Sequence, residues 1–240
     1  MKNIFSLPAL AWISLTVICI TIVLIGLRNA VKRTGWEKTR QQRIFLRVTI
    51  LILAWSAMLL ILSYNGFFED FTTFPPRPAL VILIPLPFIL TIAFSKTGTQ
   101  LLKIIPSHWL VYMQSFRIAV ELLLLMAFIN GKIPVQMTFE GRNFDILAGL
   151  STPFIAYFGF TKKTIGRKFL LAWNIICLLL LLNIVVNAIL SAPFVFQQFA
   201  FDQPNIAILN FPFVWLPGFI VPVVLFSHLV LIRRLSKSNN

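Results

Sequence analysis

The sequence predicts an all-α membrane protein, a seven-transmembrane-helix bundle with its N-terminus outside and its C-terminus cytoplasmic. Three observations lead there. Apolar runs close to bilayer length recur along the chain, and roughly 20 apolar residues cross ~30 Å of hydrocarbon as a helix. Only 12% of residues are charged and mean hydropathy is +0.89, whereas soluble domains carry about 25% charge. Basic residues also crowd alternate loops, the signature of cytoplasmic segments.

Taken in order, the first run covers residues 7–27. It is longer than the apolar part of a signal peptide, and it leads into Arg28, Lys32 and Arg33 with no small-residue cleavage site, so it reads as a membrane helix. The other spans are 44–64, 79–95, 109–129, 146–160, 169–190 and 213–232. The third and fifth are short, which fits a tilted span, a re-entrant segment or ends drawn too early. Pro85 and Pro87 interrupt the third run; Pro212, Pro217, Gly218 and Pro222 interrupt the seventh. Proline opens the helix ladder, and a bilayer tolerates that only where protein or water satisfies the freed carbonyl. Matching breaks in a three-plus-one-plus-three arrangement would point to a transporter's binding site. No stretch is polar and long enough for a soluble domain, so residues 1–240 are expected to form one integral membrane domain.

Charge orients the bundle. Arg28, Lys32, Arg33, Lys38, Arg40 and Arg43 fill the first loop, with Lys96 and Lys103 in the third. Lys162, Lys163, Arg167 and Lys168 fill the fifth, and Arg233, Arg234 and Lys237 the tail. The opposite side has Lys2, Arg77, Lys132 and Arg142, together with Glu69, Asp70, Glu140, Asp145 and Asp202. The first set stays cytoplasmic. The aromatic outer loops, Phe67 to Phe74 and Phe194 to Phe201, are expected to lie in the interfacial layer.

Composition also excludes. The net charge of +14 reflects topology and attraction to anionic headgroups at the cytoplasmic face, not nucleic acid. Cys19 and Cys177 sit in apolar runs, without disulfide or metal-ligand spacing. The H-E-x-x-H, G-x-S-x-G, P-loop and dinucleotide patterns are missing, so an enzyme is not expected. No cofactor is expected either. His108 and His228 lie at matching depth, which permits a bis-histidine haem, but interfacial roles are favoured for them.

Span four holds the main candidate site. Gln114, Arg117 and Glu121 share a helical face, and Arg117 with Glu121 is expected to form an i,i+4 ion pair. Counted from Trp109, Arg117 lies roughly 12 Å and Glu121 roughly 18 Å along the helix axis. Charges at that depth must face the bundle interior, where they mark a substrate or ion site or fix helix packing. Asn183 and Asn187 in span six, four residues apart, are candidate partners, with Asn174 and Ser191 on related turns. In the outer loop, Glu140, Arg142, Asn143 and Asp145 form a second candidate set. Asn143 is expected to cap span five and Asp145 to offset its macrodipole, which leaves Glu140 and Arg142 unexplained.

The stretch from Gln114 through Arg117 to Glu121, followed by Met137 to Asp145, resembles segments of uncharacterised bacterial multi-pass membrane proteins. That resemblance implies a bacterial inner-membrane setting and no particular activity. The topology also resembles that of small sugar transporters, although spans two and six lack proline here. The reading is therefore a small-solute or ion transporter using the Arg117 and Glu121 site. A non-catalytic sensor, scaffold or assembly factor is the alternative, and an intramembrane enzyme acting on lipid comes third.

Overall fold

The computed structural model describes residues 7–237 and is helical throughout, with no strand among the described residues. Lys2, counted above among the outer charges, lies outside them. Six helical stretches are long and apolar enough to cross a membrane: Leu7–Lys32, Lys38–Tyr64, Arg77–Phe94, Ser107–Ile129, Arg167–Leu190 and Leu216–Ser236.

Helices α1 (Leu7–Lys32) and α2 (Lys38–Tyr64) both run about a turn and a half further into the basic loop than their apolar runs indicated. Lys32 then falls in the last turn of α1, where a cation suits the exposed carbonyls. The third span is two helices, α3 (Arg77–Leu83) and α4 (Pro85–Phe94), meeting at Ile84, the residue before the expected proline break. Residues 96–104, expected as loop, form α5 (Lys96–Ile104). Ser95 caps it by accepting from Gly98 N at 3.0 Å; Leu101 and Leu102 are buried while Lys96 and Lys103 are exposed. Its amphipathic pattern is legible once the cap is noticed.

Span four is also two helices, α6 (Ser107–Met113) and α7 (Phe116–Ile129), although no proline or glycine marks the join. The fifth span is α8 (Asp145–Phe154), continuing as a π-helical turn over Ile155–Thr161. It is not among the six stretches of spanning length. Span six is α9 (Arg167–Leu190), and span seven is a π turn (Leu216–Ile220) leading into α10 (Val221–Lys237).

The basic ends gather around one cluster: Leu102, Leu110, Ile155, Leu170 and Leu231 pack together. A larger core joins Trp12, Leu59, Phe68, Leu124, Met137, Leu209 and Ile220 toward the opposite end. There the hydroxyl and backbone N–H of Thr72, with Arg77 3.3 Å away, hold the Asp70 carboxyl below the usual carboxylate range.

The break at Pro222 has the compensation that an apolar surrounding demands. Pro222 has no N–H to give to Gly218 O, and the Trp55 indole N–H donates to that oxygen instead, at 2.7 Å. Trp215 Nε1 returns a second bond to Ser56 O at 3.0 Å, so two indoles stitch α2 to span seven. Trp55→Phe is expected to strand Gly218 O and to lower stability by about 1–3 kcal/mol in detergent unfolding. Adding Pro222→Ala, which supplies the missing donor, should recover part of that loss; no recovery would place the damage elsewhere.

Candidate functional site: a buried polar cluster joining four helices

At the join of α6 and α7 the backbone tightens to i→i+3 bonds: Gln114 N to Val111 O (2.9 Å), Ser115 N to Tyr112 O (3.0 Å) and Arg117 N to Gln114 O (3.1 Å). In such a 3₁₀ segment side chains three apart eclipse, which stacks Gln114 over Arg117. Gln114, Arg117 and Glu121 all turn inward, at 0%, 2% and 1% exposure.

The ion pair is not the expected one. Arg117 pairs with Asp145, the first residue of α8, through Nε to Oδ2 at 2.7 Å and Nη2 to Oδ1. Among the described residues no ion pair joins Arg117 to Glu121. The physical reason is twofold. A fork-to-fork contact satisfies both carboxylate oxygens at once, and arginine four residues before glutamate is the weaker order for a helical pair. Asp145 can reach Arg117 because the backbones come close: a Cβ on Gly149 would stand 3.0 Å from Ile118 N and 3.3 Å from Arg117 Cβ.

This contact also explains the short fifth span. Helix α7 carries the chain away from Arg117 as far as Ile129, yet Asp145 stands beside Arg117 again. Residues 130–144 therefore return along α7 before α8 starts. Largely irregular backbone can pass beside a buried helix where protein covers it, and Ile133, Met137, Thr138 and Asn143 are all buried.

The guanidinium has five N–H groups and no acceptor. Beyond the two on Asp145, Nη1 donates to Gln114 Oε1 (3.3 Å) and to His228 Nε2 (3.1 Å), and Nη2 donates to Cys177 O (3.3 Å). All five have partners within the chain. Because arginine can only donate, His228 accepts at Nε2 and carries its proton on Nδ1, facing Asn174 Oδ1. Asn174 Nδ2 donates in turn to His228 O at 3.3 Å. Arg117 thus ties α7 to α8, α9 and α10. His228, paired in the sequence with His108, is fully buried here; His108 is exposed and makes an edge contact with Tyr112.

Glu121 is held differently. Both carboxylate oxygens lie 2.7 Å from Asn143 Nδ2, which also reaches Met137 O at 3.1 Å. Asn143 Oδ1 accepts from Asp145 N at 3.0 Å, a turn contact leading into α8, whose N-cap position is held by Phe144 rather than by the expected Asn143; the same Asn143 side chain grips Glu121. The cluster holds one guanidinium and two carboxyl groups, and only Asp145 has the cation.

The remaining candidates lie apart. Asn183 Nδ2 donates to Arg142 O at 2.7 Å, and Asn187 Nδ2 to Asn183 O at 2.9 Å. They pin the outer loop to α9; among the described residues no hydrogen bond links either to Glu121. Arg142 stacks over Phe199 at 4.2 Å, and Glu140 is exposed. Sequence reading missed His228 and Asp145 as partners of Arg117. The available signal was their shared need for a counterpart once buried.

No curated protein and no solved structure matches the chain. The model of a protein family, described as a domain of unknown function, DUF8737, matches residues 76–236, from the start of α3 almost to the end of α10. That stretch contains every residue of the cluster, and the chain belongs to this family.

Proposed function

We propose that the chain is a multi-pass protein of a bacterial inner membrane and moves a small cation or solute, with Glu121 as the group that takes up the cation. In this reading residues 1–240 are one integral domain, with the N-terminus outside and the basic end cytoplasmic. The apolar side chains left uncovered along α2 and α9, among them Leu46, Ile50, Ile61, Ile176, Leu179 and Val186, support a membrane setting.

One observation carries the transport reading: Glu121 is buried, and among the described residues its carboxyl group hydrogen-bonds only to the Asn143 amide. Arg117 is committed to Asp145, so a balancing cation has to come from outside the cluster. An intramembrane carboxyl group of this kind is by default a candidate for a cation pathway. Gln114 and Arg117 fix the geometry. Asn183, Asn187 and Arg142 hold the outer loop that carries Glu140 against α9, and Asn143 links that loop to Glu121. The test is proton or Na⁺ flux into liposomes holding the purified protein. Glu121→Gln preserves shape and hydrogen bonding and is expected to reduce flux at least tenfold. Flux equal to wild type in the folded variant would remove Glu121 from the pathway.

A second reading, a non-catalytic sensor, scaffold or assembly factor, draws support from the saturation of all five Arg117 donors, which suits a fixed brace. It predicts no flux in wild type or variant.

A further inference from the structure

Helix α2 is unevenly packed. Its buried residues, Ser56, Leu59 and Ser63, all lie in its second half, where the two indole bonds hold it. Beside its first half a cavity of about 360 Å³ runs between Val48 and Ile52 of α2 and Ile84, Ile89 and Phe226 across from them. Leu51, Phe88 and Ile92 at its rim are exposed, so the groove opens on the outer surface of the bundle.

At its basic end a second cavity, about 220 Å³, is lined by Asn29, Arg33, Pro106 and His108. The two share Gly26, Ile105 and Trp109. The Trp109 ring lies where a Cβ on Gly26 would be, 2.2 Å away, so glycine is what lets α1 and α6 meet at this junction. No carboxylate lines either cavity. Among the described residues the Arg33 side chain has no ion pair, and neither it nor Asn29 has a side-chain hydrogen bond.

We propose that the paired cavities are one binding site for a membrane phospholipid, with acyl chain in the apolar groove and phosphate against Arg33, Asn29 and His108. Charge selects the occupant. A guanidinium with free donors beside an apolar slot matches a phosphodiester carrying a hydrocarbon tail, since arginine grips phosphate oxygens in pairs. Arg28 and Lys32, exposed on the same end of α1, add to the attraction for an anionic headgroup. The site rests on the membrane reading but not on transport through Glu121.

Native mass spectrometry of the full chain, titrated with phosphatidylglycerol, tests it. Wild type is expected to retain one lipid. Arg33→Ala with His108→Ala should weaken retention roughly tenfold, the loss of a charge-assisted contact. Val48→Trp with Ile52→Trp should weaken it as much by filling the groove. Glu121→Gln should leave it unchanged, which separates this site from the transport reading. Inorganic phosphate at equal concentration should neither bind nor compete; full competition would make this a phosphate site and overturn the proposal, as would normal retention in the groove-filled variant. A photoreactive phospholipid on wild-type protein needs no variant: cross-links concentrated on Val48, Ile52 and Ile89 support the site. Equal labelling of Ile176 and Leu179 on α9 would overturn it.

Discussion

Arg117→Met is expected to lower stability in detergent by about 3–5 kcal/mol, because it leaves Asp145 charged, buried and alone. Arg117→Lys should restore little. Lysine keeps the charge but cannot reach Asp145, Gln114, His228 and Cys177 O from one planar group. Thermal unfolding followed by circular dichroism reads both variants. A lysine variant as stable as wild type would mean that charge alone matters and that the five-partner geometry is incidental.

The second large effect belongs to Asn143. Its amide holds Glu121 while its carbonyl accepts from Asp145 N at the entry to α8, so Asn143→Ala removes a buried donor and a buried acceptor together. The expected loss is about 2–4 kcal/mol. Asn143→Asp separates the two roles, since it can still accept from Asp145 N but sets a carboxylate against Glu121 where a donor stood. It should be at least as destabilised as the alanine variant at neutral pH and should recover in acid, as protonation of the new carboxylate relieves the repulsion. An aspartate variant matching wild type at neutral pH would show that Glu121 does not depend on the amide.

These expectations mark where sequence reading succeeds and where it stops. The inward face of span four was legible because spacings of three and four leave one orientation for Gln114, Arg117 and Glu121. The partner was not. Asp145 sits 28 residues on, past a stretch that reads as an outer loop, and only tertiary packing brings that loop back beside α7. The join at Gln114 and Ser115 was equally silent, because neither proline nor glycine announces it. The breaks near Pro85 and Pro222 could be read from the chain. That Trp55 repairs the second could not, because its partner lies 163 residues away. Helix α5 reads as loop in the sequence because Lys96 and Lys103 mask its two buried leucines. The shortness of the fifth span is legible in the sequence, but its cause, a start beside Arg117, comes only from the fold.

Double-mutant cycles on the unfolding free energy give the sharpest single measurement of how this cluster is wired. Coupling between Arg117 and Asp145 should reach about 2–3 kcal/mol, the upper range for groups in direct contact. Coupling between Arg117 and Glu121 should stay below about 1 kcal/mol. Strong coupling to Glu121 and weak coupling to Asp145 would return the counter-ion to the neighbouring turn of the same helix. Glu121 would then have its cation already, and no vacancy would remain for one from outside.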